Sequence, residues 1–282
     1  MENINSEHAI RKDPKTAILL VTTGTTRDES KNIFDGCVNA FKTAYPDVVI
    51  RSAVASEIVR QAMAEKGIIA KSPLAALTDF MDEGFSKIIV QPLYITPGNG
   101  LHELYSIVST MNSFSGKHGI TGIEGILIGK PLLMDAKDYS LAAGALSSYF
   151  GLPEKDDAIL LVSPVDENGA DPSLCQLQLV MDEVTGGRFI VGSSSGYPDV
   201  DWVIKRLEHI NARKVTLATL AMIPGKHAEY ELAGDNPKSW KNMLESAGYE
   251  VLMSEKTLGK STEIAEHFIS SLGEVGSSHG FF

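Results

Sequence analysis

The chain has 282 residues, of which 43% are hydrophobic and 22% charged, with a formal net charge of −11. This length holds two domains of ordinary size or one large one, and the balance is that of a soluble globular protein. No window approaches the roughly 18 apolar residues of a membrane helix. No Lys/Arg cluster offers a nucleic-acid footprint, so neither membrane nor nucleic acid is expected as a partner.

Residues 1–15 are polar and lack the basic-then-apolar plan of a signal peptide. They read as a disordered leader, which makes the cytoplasm the expected compartment. Thr16 to Val21 is a uniformly apolar run, the signature of a strand covered on both faces. It passes into the small-residue loop Thr22-Thr-Gly-Thr-Thr-Arg-Asp-Glu-Ser30. Ile33, Cys37, Val38 and Phe41 then recur at helical spacing and stop before Pro46. Asp47 to Val54 reads as a strand and a helix starts near Ser56. Ser72-Pro73 is a strong helix start, with Ser as N-cap and Pro in the first turn. Lys87 to Leu93 is strand, a helix begins near Leu101, and Gly122 to Ile128 is a fourth strand.

The second half repeats this plan. Asp157-Ala-Ile-Leu-Leu-Val162 echoes Thr16-Ala-Ile-Leu-Leu-Val21, and Met222-Ile-Pro-Gly225 echoes Ile95-Thr-Pro-Gly98. Arg188 to Val191 and Lys214 to Leu220 are further strands. Alternating strands and helices predict an α/β fold of two similar domains, each a parallel sheet flanked by helices, with a cleft between them. The expected boundaries are 16–135 and 136–272, with a closing helix from about Lys260 to Leu272 and a loose tail at 273–282.

The two cysteines, Cys37 and Cys175, lie far apart in helix-like stretches, without the spacing of a zinc or redox pair. Both read as small buried hydrophobes. Chemistry in parallel α/β sheets gathers at strand ends, which here means the loops 22–30, 94–103, 163–171, 192–198 and 222–235. His227 stands just past a strand and a Pro-Gly turn. The Ser/Thr/Gly loops join strands to helices, where backbone N–H groups and the positive helix end hold carboxylates or phosphates. Neither is a phosphate-binding P-loop or a dinucleotide fingerprint. Thr23, Gly24, Thr25, Tyr94, Ser195 and Lys226 are the candidate substrate contacts, and Arg27 and Lys226 the nearest cations.

Four stretches carry a family resemblance: Leu19 to Thr25, Val90 to Gly98, Val191 to Pro198, and Ile223-Pro-Gly-Lys-His-Ala-Glu-Tyr-Glu-Leu-Ala-Gly-Asp235. The last runs on to Ser239-Trp-Lys241 and Gly248 to Val251. On these residues the chain resembles the anaerobic sirohydrochlorin cobaltochelatases of cobalamin synthesis, within the ferrochelatase-like class II chelatases. The resemblance implies insertion of Co2+ into sirohydrochlorin, at a cleft site of two histidines and one glutamate. His227 matches one histidine and would be both metal ligand and proton acceptor. The other belongs to a His-Gly-Thr motif after the first strand of the second domain, where this chain has Pro164. The glutamate precedes the glycine of the Gly-Tyr-Pro loop, where this chain has Ser195.

Proline neither ligates a metal nor accepts a proton, and a serine hydroxyl does both poorly. Asp166 and Glu167 lie shortly after Pro164. Glu231, four residues past His227, shares its face on a helix, whereas Glu229 points elsewhere. His227, Glu231 and Asp166 are therefore the candidate metal ligands, with His102 a further candidate across the cleft. The departure predicts weak or absent turnover by the family's usual route. The alternative is a non-catalytic protein that binds a tetrapyrrole or metal on the same fold, and a homo-oligomer is compatible with either. A two-lobed solute-binding protein is a third class, against which the polar N-terminus counts.

Overall fold

A computed structural model describes residues 15–114, 123–164 and 171–282. The first half runs β1 (Lys15–Thr22), α1 (Asp28–Ala44), β2 (Val49–Val54), α2 (Glu57–Glu65) and α3 (Pro73–Asp82). It continues through β3 (Phe85–Pro92), α4 (Asn99–Asn112) and β4 (Gly125–Ile128). The second half runs α5 (Ala136–Phe150), β5 (Asp157–Ser163), α6 (Asp171–Thr185), β6 (Phe189–Ser193), α7 (Val200–His209) and β7 (Lys214–Thr219). Two short helices, α8 (Lys226–Ala233) and α9 (Trp240–Ser246), precede β8 (Glu250–Met253). A 3-10 turn at Leu258–Lys260 leads into α10 (Thr262–Ser278).

The strands form two four-stranded sheets, ordered β2-β1-β3-β4 and β6-β5-β7-β8, and every pairing is parallel. The orders are equivalent, as the sequence echo between β1 and β5 requires. The apolar runs are buried on both faces because the side chains alternate. Ala17, Leu19 and Val21 pack with Leu77 of α3 and Leu104 of α4, while Ile18 and Leu20 face the opposite layer. On β5, Ala158, Leu160 and Val162 meet Val203, Leu232 and Leu244, and Ile159 and Leu161 face the other way. Ile18, Leu20, Ile159 and Leu161 all belong to one central core, with α1, α5, α6 and α10 between the sheets. Each fully buried side chain of this size stabilises the fold by about 1.5–3 kcal/mol, so the inner layer ties the halves firmly.

Local chemistry sets the helix starts. Ser72 Oγ accepts the Ala75 N–H at 3.2 Å with Pro73 in the first turn, as its sequence predicts. Asp135 and Asp138 form a capping box that opens α5, a boundary the Gly129-Lys-Pro131 break only approximates.

The chain's end departs from expectation. The helix predicted to stop near Leu272 runs to Ser278, so most of the segment read as a tail is ordered structure. It returns to the first sheet, where Thr16 Oγ1 donates to Phe281 O (3.1 Å), Lys87 Nζ donates to Gly280 O (2.6 Å), and Phe282 stacks on Tyr45 at 5.1 Å. The terminal Phe281-Phe282 pair supplies the apolar anchor, and Gly276 leaves room for the Phe282 ring. Residues 1–14 of the predicted leader lie outside the described residues. Among the described residues no helix is long and apolar enough to cross a membrane.

Candidate functional site

The carboxyl ends of β1, β3, β5 and β7, the inner strands of the two sheets, surround a cavity of about 240 Å³. Thr22, Thr23 and Tyr94 line one side of it; Ser163, Pro164 and Met222 line the other. This is the crevice at which parallel sheets place ligands, where strand order reverses. Its lining carries no Asp, Glu, His, Lys or Arg among the described residues. The walls offer hydroxyls, one phenol ring and apolar surface.

The Thr22–Thr25 loop is shaped by glycine. Gly24 has φ +99°, and a Cβ there would lie 2.4 Å from Val54 Cγ1, so both conformation and space demand glycine. Thr22 Oγ1 accepts the Gly24 N–H at 3.3 Å, and Thr25 Oγ1 accepts that of Arg27 at 3.2 Å. Those two amides are committed within the loop, and Thr23 stands exposed at the cleft. Tyr94 lies against the first turn of α4, where a Cβ on Gly100 would come within 3.1 Å of its ring.

Ser195 is exposed on the β6–α7 loop. The loop is pinned by Ser194 N–H to Ser163 O (3.0 Å), by Gly196 N–H to Ser193 Oγ (3.1 Å), and by the Trp240 indole N–H to Ser194 Oγ (3.2 Å). Asp171 presses its carboxylate against the same loop, since a Cβ on Gly196 would lie 2.2 Å from Asp171 Oδ1. Residue type gives no cue to this contact: Asp171 ends the 163–171 loop in sequence and meets the 192–198 loop only in the fold. In the fold it is the carboxylate at the loop where the family pattern has glutamate.

His227 occupies the first turn of α8, after the N-cap Gly225. Its Nε2 lies 2.9 Å from Glu231 Oε1, one helical turn on. The imidazole is 75% exposed and the Glu231 side chain only 15%. Glu231 Oε2 is buried without a hydrogen-bond partner among the described residues. Such a carboxylate oxygen is costly until a cation or proton reaches it.

His227 and Glu231 are not among the residues that line the cleft, and the other candidates disperse further. Lys226 lines a separate groove of about 1030 Å³ with Arg27, Glu229, Lys256 and Lys260. The 222–225 turn divides the two spaces, with Met222 and Ile223 on the cleft and Pro224 on the groove. Lys226 is thus not gathered with Thr23 and Tyr94. Glu229 forms an ion pair with Arg27. His102 is exposed in the first turn of α4. Asp166 and Glu167 lie outside the described residues. Among those described, no three His, Cys, Asp or Glu side chains converge as a metal site. His267 lies elsewhere, half-buried on α10 against α5, with Nε2 3.7 Å from Asp138 Oδ1.

The sequence comparisons agree on one family. The cobalt chelatase (CbiK) family profile matches residues 16–276. The sirohydrochlorin cobaltochelatase CbiKC of Nitratidesulfovibrio vulgaris is 27% identical over 235 residues, covering 83% of this chain and 81% of that protein. The sirohydrochlorin cobaltochelatase of Salmonella typhimurium is 26% identical over 266 residues, covering 93% of this chain and 96% of that protein. The structure of SirB from Bacillus subtilis with Fe3+ is similar with a TM-score of 0.61 at 15% identity, covering 95% of this chain and 98% of that one. That of CbiX, described as the terminal enzyme for siroheme biosynthesis in denitrifying bacteria, gives 0.50 at 15% identity, covering 92% and 98%. At such identity these two structures speak for the fold alone.

Proposed function

The chain belongs to the cobalt chelatase family, and from that premise we propose that it binds a sirohydrochlorin-type tetrapyrrole in the cleft and passes Co2+ to it from the His227–Glu231 pair, more slowly than a three-ligand site would. The substrate class comes from the two sirohydrochlorin cobaltochelatases to which the chain is similar. The cleft, about 240 Å³ and walled by Tyr94, Thr22, Thr23 and apolar side chains, has room for an edge of a planar macrocycle rather than the whole of it. The start of α4 borders the same cleft at Gly98 and Gly100, where helix N–H groups suit the macrocycle's carboxylates.

The observation that carries this reading is the buried, unpartnered Oε2 of Glu231 beside an exposed imidazole. Once the Glu231 side chain turns its buried oxygen outward, the two would give an incoming cation one nitrogen and one oxygen donor. Insertion exchanges pyrrole N–H protons for the metal, and an imidazole nitrogen can accept such a proton. Two donors hold a divalent ion less well than three, and the slow turnover follows from that.

A second reading, tetrapyrrole binding without insertion, is favoured by Pro164 on the cleft wall and by the lack of titratable side chains in the lining. One assay separates them: absorbance of sirohydrochlorin mixed with Co2+, with and without protein. Acceleration that disappears in His227→Ala supports insertion. A spectral shift without acceleration supports binding alone, and no shift defeats both.

A further inference from the structure

We infer that Ser30 and Arg27, at the start of α1, are positioning residues that set where the His227 helix stands relative to the cleft. Three contacts between the first half of the chain and the second meet there: a hydrogen bond, an ion pair and the packing of Gly259 on Ile33. Ser30 is fully buried, and its Oγ donates to Pro224 O at 2.7 Å across 194 residues of sequence. Pro224 immediately precedes Gly225, the N-cap of α8. Arg27 pairs with Glu229, two residues beyond His227. Gly259 donates its N–H to Met222 O at 3.1 Å, and a Cβ on Gly259 would lie 2.5 Å from Ile33 Cγ2 and 2.6 Å from Met222 O. Helix α1, the 222–225 turn and the 258–260 turn therefore touch with no room for a methyl group.

Helix α8 has little else to fix its first turn. Gly225 has no side chain to cap it, and α8 buries only Ala228 and Leu232. The Ser30 hydroxyl bond is shielded from water, so it locates the turn. The ion pair is partly exposed, with side chains 24% and 48% accessible, and such pairs add little stability on their own. Its effect is directional: it fixes the face that the first turn of α8 presents. Thr22 and Thr23, on the cleft wall, lead directly into α1. A single rigid junction thus couples one wall of the cleft to the residue that presents the metal, at a precision on which transfer across a gap depends.

The junction stands on geometry alone, and only its kinetic consequence rests on the functional reading above. The test compares Ser30→Ala, Arg27→Glu and the reversal Arg27→Glu/Glu229→Arg in the full chain. Amide hydrogen exchange over 226–233 should quicken about tenfold in Ser30→Ala while β5 and β7 keep their protection. It should quicken less in Arg27→Glu and return toward wild type in the reversal. Co2+ affinity of the free protein should stay within about twofold, because His227 and Glu231 ride on one helix. Co2+ insertion into sirohydrochlorin should fall about tenfold, or, without insertion, quenching of bound sirohydrochlorin fluorescence by Co2+ should weaken. Unchanged exchange in α8, or no recovery in the reversal, overturns the inference, as does a parallel loss of Co2+ affinity and transfer. If wild type binds no sirohydrochlorin, the functional reading fails while the exchange data still decide the junction.

Discussion

Nε2 of His227 sits 2.9 Å from Oε1 of Glu231, and the second oxygen of that carboxylate is buried without a partner among the described residues. In the proposed function the pair supplies two donors to the metal. Replacing Glu231 by Gln keeps the shape and removes the charge. Co2+ affinity is expected to drop by about tenfold or more, the usual cost of losing a group that orients or supports a metal-binding histidine. Equilibrium titration with Co2+ checks this, and an unchanged affinity would remove Glu231 from the site.

Pro164 lies on the cleft wall and Ser195 on the loop held by Trp240. Introducing Pro164→His and Ser195→Glu together should raise Co2+ affinity by on the order of 100-fold, since even a supporting partner is worth 10–100-fold. The rate of sirohydrochlorin metalation should rise with it. If affinity rises without rate, the cleft holds the macrocycle in an unproductive pose.

Gly24→Ala meets both a positive φ and Val54 Cγ1 at 2.4 Å. Overpacking of this kind costs about 1–3 kcal/mol, and the backbone strain adds to it. A urea midpoint shift measures the sum. Adding Val54→Ala should recover part of the clash, leaving Val59 Cγ1 at 2.9 Å and the backbone strain.

His267 provides a pH test remote from the cleft. Burial, the largest influence, holds its pKa below the ordinary value; Asp138 and Glu274 pull it up, and Lys137 pushes it down. The unfolded chain therefore takes up this proton at a higher pH than the folded one, and stability falls as pH drops through about 6.5 toward the folded value. His267→Gln should flatten the decline in melting temperature between about pH 7 and pH 5. An equal slope in the variant would assign the decline to other groups.

The thiols should differ in reactivity. Cys37 is buried, donates to Gly259 O at 3.4 Å, and its pKa is pushed up to about 11 by burial. Cys175 is half-buried on α6. A thiol reagent should label Cys175 first and reach Cys37 only on unfolding, because the thiolate is the reacting form.

Much of the architecture was legible from local chemistry. The apolar runs at Thr16–Val21 and Asp157–Val162 specify doubly covered strands, and their near-identity announces two equivalent sheets. Ser72-Pro73 states its own helix start. What escaped depended on distant partners. β8, Glu250–Met253, is mostly exposed, and its apolar run is too short to mark a strand as those of the inner strands do. The end of α10 is held by Tyr45 and Thr16, more than 200 residues away in sequence.

The candidate site divides along the same line. Residue type alone places His227 past a strand end, puts Glu231 on its helical face, and shows proline and serine at positions 164 and 195. Only the tertiary structure moves Lys226 into a different groove from Thr23, sets Asp171 against the Gly196 loop, and joins Ser30 to Pro224. Periodicity and turn chemistry act within a few residues and can be read along the chain. Which side chains share a cleft depends on how two sheets pack through a common core, and no local pattern encodes that.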